Sequence, residues 1–517
     1  MFDPALIVKP PHHNVHRISP WIDEQIWGHR LWDSQSAWLL FLEFLTVAEA
    51  RKREGHLING VDDFGPIDFH PAKRMHLRNI LFNSDDLIPI DEKYPDSNSA
   101  WKQWLTSMEE NAKGVGGARD FAYLKSRFHS YHDFAGIVAL LRTETIESGS
   151  NRRWTSRFLF PFGPNAIYED QISTASGSVS RDYINFGRTG EILYLMLSRS
   201  TSREQLAPEL NRLLEPEGPW NSLVGLLEPL LEGPRETRGQ SYLPYKRHPE
   251  FDRLGEDWLE ILNLDVPQYD KYPHLVTTGA FHILLYQLET SLQWLDLSTK
   301  VAMICEIVAP KKTLVRELSA ESYLRNTLLP TQAVTHYVEQ IAKSPEWLAA
   351  LDQSDAFVQC RRILQEQVRW GEGEKDYDGS HDPGSLLADL RTTALAGHKQ
   401  HVANIHRTYG RDIGLVSKRG TNKLRYAPND NLLKTLLLAN VKDRMELSEF
   451  LQRLYERYGL VIGDKQAEQV LPAERFDKKA FQANARRLEG RLGNLGMLKR
   501  LSDGCAYVEN PYRQAKL

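Results

Sequence analysis

Residues 477–508 read DKKAFQANARRLEGRLGNLGMLKRLSDGCAYV. Asp477 offers a side-chain acceptor at the start of a helix over Lys478–Leu495, whose Phe481, Ala485, Leu488 and Leu492 recur at helical spacing and define an inward face. Beyond it, two strand-like runs around Leu498–Val508 are joined by Asp503-Gly504, a dipeptide favoured in tight hairpins because both positions tolerate positive φ. Upstream, Asn429-Asp430-Asn431 caps a helix that buries Leu432, Leu433, Leu436, Leu437 and Val441. A second helix, Glu446–Tyr458, buries Leu447, Phe450, Leu451 and Leu454 and stops at Gly459.

Helix, helix, helix, hairpin is the order of a winged helix-turn-helix, in which the third helix enters the major groove and the hairpin touches the backbone. The expected outward residues of that third helix are Lys478, Lys479, Gln482, Asn484, Arg486, Arg487 and Arg491, and the hairpin adds Lys499 and Arg500. Cations anchor phosphates and release counterions, while Gln, Asn and Arg carry the forked donors and acceptors that read base edges. These nine residues are the expected contacts with double-stranded DNA. The same face also suits protein docking, because a fold does not fix its function.

Charge separates this end from the rest. Residues 418–517 hold 20 Lys+Arg against 12 Asp+Glu, a net of +8. The other 417 residues hold 44 against 56, a net of −12, so the total of −4 is a cancellation. Bulk coating of nucleic acid by the whole chain is excluded, whereas a cationic end joined to an acidic body suited to partner proteins is not.

Outward from the terminus the pattern stays helical, with apolar residues three and four apart in Ala37–Arg51, Ile192–Arg199, Phe281–Leu295, Ala333–Leu351, Ala356–Trp370 and Leu386–Thr408. Strand-like runs are few, at Leu87–Ile90, Arg157–Phe162 and the late pair. The expected fold is mainly α with minor β: a multidomain helical body with a C-terminal winged helix-turn-helix domain. Turn-rich and charged clusters at 147–153, 232–250 and 371–385 divide it. The expected units are a Trp-rich α-rich domain at 1–150, a mixed α/β segment and linker at 151–250, a helical domain at 251–426 and the winged helix at 427–517.

With 41% hydrophobic residues, 26% charged residues and 12 tryptophans, the chain can bury real cores and is not a disordered tail. Three scattered cysteines, Cys305, Cys360 and Cys505, assemble neither a disulfide framework nor a CxxC zinc site. No stretch reads as a signal peptide or a membrane span, and a cytoplasmic protein without membrane contact is expected.

Several stretches carry candidate chemistry, each beside a plainer reading. Trp21, Trp27, Trp32 and Trp38 could stack on bases, but large aromatics are more often core anchors. His398, His401 and His406 have metal-ligand spacing, yet Lys399 stands where an HExxH motif needs glutamate, so an exposed polar helix face is expected and no metal. Asp68, Asp91 and Lys93 would form a Mg²⁺-dependent nuclease centre of PD-(D/E)xK type if Leu87–Ile90 were a strand, which Pro89 opposes. Gly187 and Gly190, with Arg181 and Arg188, could cradle a phosphate at a helix start; the plainer reading is a helix entry held by Glu191 at the positive end of its dipole. No catalytic residue and no cofactor are assigned, and a non-enzymatic protein is the primary reading.

The Trp-rich start, the FGRTGE helix entry and a terminus ending in LKRLSDGCAYVENP together resemble accessory proteins of bacterial anti-phage defence islands. In particular they resemble the unassigned component of methylation-associated defence systems, encoded beside an ATP-binding protein. The resemblance implies a non-catalytic subunit working with an ATPase and a DNA methyltransferase on invading DNA, and it transfers no catalytic residue. A PD-(D/E)xK nuclease and a scaffold that binds protein only remain the alternatives.

Overall fold

The computed structural model describes residues 21–29, 31, 36–58, 64–67, 75–112, 120–143, 154–159, 167–173, 179–182, 189–215, 222, 225–228, 240–370, 377, 379–418, 423–502 and 505–513. They form a mainly helical protein with small sheets. Among them, no helix is long and apolar enough to cross a membrane.

Two helices open the chain, α1 (Ile22–Trp27) and α2 (Ala37–Arg53), the latter capped by the Ser36 side chain, which accepts from the Leu39 amide. Leu39 to Leu42, Phe44, Leu45 and Val47 are all buried, so the first turns of α2 lie inside the molecule, while its last turn is basic and reaches the surface at Arg53. Four helices follow, α3 (Met75–Phe82), α4 (Leu87–Lys93), α5 (Ser97–Asn111) and α6 (Tyr131–Thr143). They pack on a core of their own around Leu77, Ile80, Trp101, Trp104 and Phe134. An antiparallel three-stranded sheet runs in the order β1 (Trp154–Leu159), β2 (Ile167–Ser173), β3 (Val179–Asp182).

The large core begins with α1 and α2 and continues through α7 (Thr189–Ser198), α8 (Arg203–Leu213), α9 (Pro249–Leu262) and the 27-residue α10 (Gln268–Trp294). Strand β4 (Met303–Ile304) leads into the 30-residue α11 (Leu314–Lys343), then α12 (Pro345–Leu351), α13 (Ala356–Val368), α14 (Pro383–Gln400) and α15 (Ile405–Asp412). A short antiparallel pair, β5 (Val416–Ser417) and β6 (Arg425–Tyr426), closes the body.

Several expectations change here. Leu87–Ile90 lies in helix α4, not a strand: Leu87 and Ile90 face one core, and Pro89 sits in the first turn, where its missing N–H is not needed. The run Ala333–Leu351 breaks at Ser344, whose hydroxyl caps α12 through the Trp347 amide. Leu386–Thr408 breaks at a 3₁₀ turn, Val402–Asn404. The expected strand Arg157–Phe162 is β1, and its last three residues lie outside the described ones.

The terminal region holds α16 (Asp430–Asn440), β7 (Arg444–Glu446), α17 (Leu447–Tyr458), β8 (Leu460–Val461), α18 (Asp464–Val470), α19 (Lys478–Asn494), β9 (Leu498–Ser502) and β10 (Cys505–Glu509). The expected caps are present, with Asn429 accepting from the Leu432 amide, Asp477 from the Ala480 amide, and Gly459 left-handed at φ 72°. The expected strand pair is β9 with β10, and their tip, Asp503-Gly504, lies outside the described residues. Unforeseen were α18 and β7, each too short for a periodic signal, and β7 joins the hairpin to give the order β7-β10-β9.

The terminal region is built into the body. Strand β8 pairs parallel with β4, Met303 opposite Leu460 and Ile304 opposite Val461. One core cluster runs from Ile22 through Phe281 and Leu436 to Val508. A smaller one joins Ile304, Val315 and Leu318 of the body to Val461, Ala467 and Phe481.

Candidate nucleic-acid interface

Helix α19 turns Phe481, Leu488 and Leu492 into the core, as its spacing predicts. Asn484, read from the sequence as outward, is fully buried. Its amide nitrogen donates to the carbonyls of Cys305 (2.9 Å) and Ile462 (3.0 Å), and its oxygen accepts the Ile307 amide (2.8 Å). A polar side chain is stable there because backbone groups of the two segments that follow β4 and β8 satisfy it.

Other expected contacts are also engaged. The Arg487 Nε donates to the Ile307 carbonyl at 3.0 Å. Arg491 donates to the Asp430 carboxylate (Nε, 2.8 Å) and the Pro428 carbonyl (Nη1, 3.1 Å), tying α19 to the start of α16. The Gln482 amide nitrogen donates to the Asp464 carboxylate at 3.0 Å. On the hairpin, Lys499 pairs with Glu509 at 3.0 Å and Arg500 with Glu489 at 3.5 Å, both as exposed side chains. Lys478, Lys479 and Arg486 are exposed and make no hydrogen bond or ion pair among the described residues.

The free cations therefore lie on one side of α19, flanked by the hairpin. Between them runs an open groove of about 560 Å³ lined by Arg486, Glu489, Gly490, Leu498 and Arg500. Arginines from two elements flank it, and Gly490 leaves its wall without a side chain.

Elsewhere, the core reading holds for two of the four tryptophans. Trp21 and Trp27 are core residues, the Trp27 indole donating to the Gln287 carbonyl; Trp38 is half-buried and Trp32 lies outside the described residues. His398 and His406 are buried, which corrects the exposed polar face expected of them. His398 bonds Asp23 through Nδ1 at 2.9 Å and stacks on Trp27. His406, whose pKa burial pushes down to about 3, faces the Tyr426 hydroxyl at 2.8 Å. Among the described residues, no three His, Cys, Asp or Glu side chains gather as a metal ion would require.

Asp91 and Lys93 ride on helix α4, with Asp91 bonded to the His132 imidazole at 2.7 Å. The strand a PD-(D/E)xK centre needs is not formed by them, and Asp68 lies outside the described residues. At the α7 entry, the Gly190 amide donates to the Glu43 carboxylate of α2 at 2.8 Å, so the protein itself supplies the anion there. A Cβ at Gly190 would come within 2.7 Å of the Leu40 carbonyl oxygen, which is why glycine stands where α2 and α7 cross. Glu191 is buried and accepts from the Ser241 hydroxyl, whereas Gly187 and Arg188 lie outside the described residues.

Body and terminus are locked by buried charge. His282 of α10 lies between the carboxylates of Glu250 and Asp257 on α9, its Nε2 2.9 Å from Asp257. Asp257 also accepts from the Tyr458 hydroxyl (2.6 Å) and Arg457 (2.5 Å) of α17. Burial alone would lower the pKa of His282, but the Glu250 charge and hydrogen bonds to both carboxylates outweigh it and hold it at about 9. A second buried carboxylate, Glu306, sits between Arg316 (2.8 Å) and Arg425.

These features define a mainly helical protein whose cationic terminal helix and hairpin are anchored to a large body. Residues 385–512 match the family model for methylation-associated defense system protein MAD7, consistent with a component of a defence island and with the resemblance in the sequence. The match covers 128 of the 517 residues, from within α14 to just past β10. No curated protein and no solved structure matches the chain.

Proposed function

We propose that this protein is a non-catalytic subunit of an anti-phage defence complex, holding double-stranded DNA through a terminal winged helix and partner proteins through its acidic body. The observation that carries the reading is the shared cationic face of α19 and the β9–β10 hairpin, where Lys478, Lys479 and Arg486 are exposed without partners among the described residues, beside Lys499 and Arg500. The winged-helix reading is supported by the order of helices α16, α17 and α19 with the sheet β7-β10-β9, and in a winged helix such a helix and wing lie against a duplex. The body's net of −12 repels nucleic acid and leaves its surface to proteins, an ATPase and a DNA methyltransferase being the partners that the defence-system resemblance implies.

The test is duplex binding by the full chain, followed by fluorescence anisotropy. Wild type binds with an affinity that falls steeply with salt, and the combined variant Lys478→Glu, Lys479→Glu, Arg486→Glu loses binding while keeping its unfolding midpoint. These three side chains make no hydrogen bond or ion pair among the described residues, so the variant separates contact from folding. Binding unchanged in the variant, or no binding by wild type, overturns the reading in favour of a surface that docks protein alone.

A further inference from the structure

We infer that the terminal helix and hairpin grip the sugar-phosphate backbone and do not discriminate base sequence. This rests on the DNA-holding reading above and concerns what kind of contact is made.

Reading a base edge needs a forked donor or acceptor set that is free to meet it: Arg on guanine, Asn or Gln on adenine. Helix α19 carries five such side chains in its first four turns, and four are committed. Asn484 is buried with three hydrogen bonds to backbone groups. Gln482 donates to Asp464. Arg487 and Arg491 hold the Ile307 carbonyl and the Asp430–Pro428 corner. Extracting Asn484 or Arg487 would strand buried backbone groups, and Gln482 and Arg491 tie α19 to the starts of α18 and α16.

What remains suits phosphate. Lys478 and Lys479 are point charges at the helix start, with no planar fork to select a base. Ala483 and Gly490 on the exposed side offer no polar group at all. Arg486, the one guanidinium of the helix without a bond among the described residues, lines the groove that Arg500 flanks from the hairpin. Two guanidiniums across an open groove match a phosphodiester, and they outnumber the Glu489 carboxylate beside them.

The experiment measures the full-length protein on short AT-rich and GC-rich duplexes of unrelated sequence, from about 50 to 200 mM salt. The expected affinities agree within roughly threefold, and five cations give a slope of log K against log salt near −4.5, at about 0.9 per phosphate. Arg486→Gln weakens every duplex alike and reduces the slope by about 1. Gln482→Ala changes nothing. Tight binding to one duplex, with a preference above about tenfold that Gln482→Ala or Arg486→Gln abolishes, overturns this inference and leaves the DNA-holding reading intact. Absence of binding to every duplex at low salt overturns both.

Discussion

The amide of Asn484 and the carbonyl of Cys305 meet at 2.9 Å across 179 residues of sequence. That bond, with the Ile307 and Ile462 contacts of the same side chain, makes the cationic helix α19 a fixture of the body. A terminal unit held this way transmits load: whatever α19 binds is oriented relative to α10, α11 and every surface they carry.

Replacing Asn484 by Leu strands the Ile307 N–H and the Cys305 and Ile462 carbonyls in a fully buried site. Each orphaned group costs about 1–3 kcal/mol, so a large drop in the urea midpoint is expected. Arg486→Ala, on the opposite side of the same helix, should stay within about 0.5 kcal/mol of wild type. Equal effects of the two changes would contradict the assigned facing of α19.

Stability should fall on the alkaline side. The folded-state pKa of His282, about 9, lies above the ordinary value of 6.5, so its contribution is complete below pH 6.5 and is lost as the pH rises through 9. The shift corresponds to roughly 3 kcal/mol in this fully buried site. Chemical denaturation at pH 6.5 and 9.5 checks it. His282→Gln should be less stable at pH 6.5 and lose this alkaline decline.

Two glycines should respond with opposite signs. At Gly459, φ is +72° and a Cβ would stand 2.0 Å from the Val301 carbonyl oxygen, beside the β4–β8 pairing. Gly459→Ala combines left-handed strain of about 1–2 kcal/mol with overpacking of about 1–3 kcal/mol. A Cβ at Gly490 meets nothing within 4 Å, so Gly490→Ala in the helix interior should stabilise by about 0.5–1 kcal/mol. Thermal unfolding of the two variants decides both signs.

Glu306→Gln removes the carboxylate that neutralises Arg316 and Arg425. Because Glu306 is wholly buried and Arg425 nearly so, the change should cost about 3–5 kcal/mol. Pairing the substitution with Arg425→Met should recover part of the loss in a double-mutant cycle. Simple additivity of the two losses would show that the pair is not coupled.

The sequence by itself determined the local structure of the terminal region. The Asn429 and Asp477 caps, the Gly459 stop, the helical spacing of the leucines and the paired strands around Leu498–Val508 all depend on residues within a few positions of one another, and each is found in place. It also determined the mainly helical character and the charge polarity, which are sums over residue types. Only the tertiary structure decided which polar residues of α19 are available. A helical wheel counts Asn484, Arg487 and Arg491 as outward because they are polar, whereas their partners at 305–307 and 428–430 are brought by chain segments whose approach no local pattern records. Hydrogen-bond satisfaction is a property of what surrounds a side chain, so the folded body fixes which of the nine expected contacts are committed within the protein and which stay free to meet a ligand.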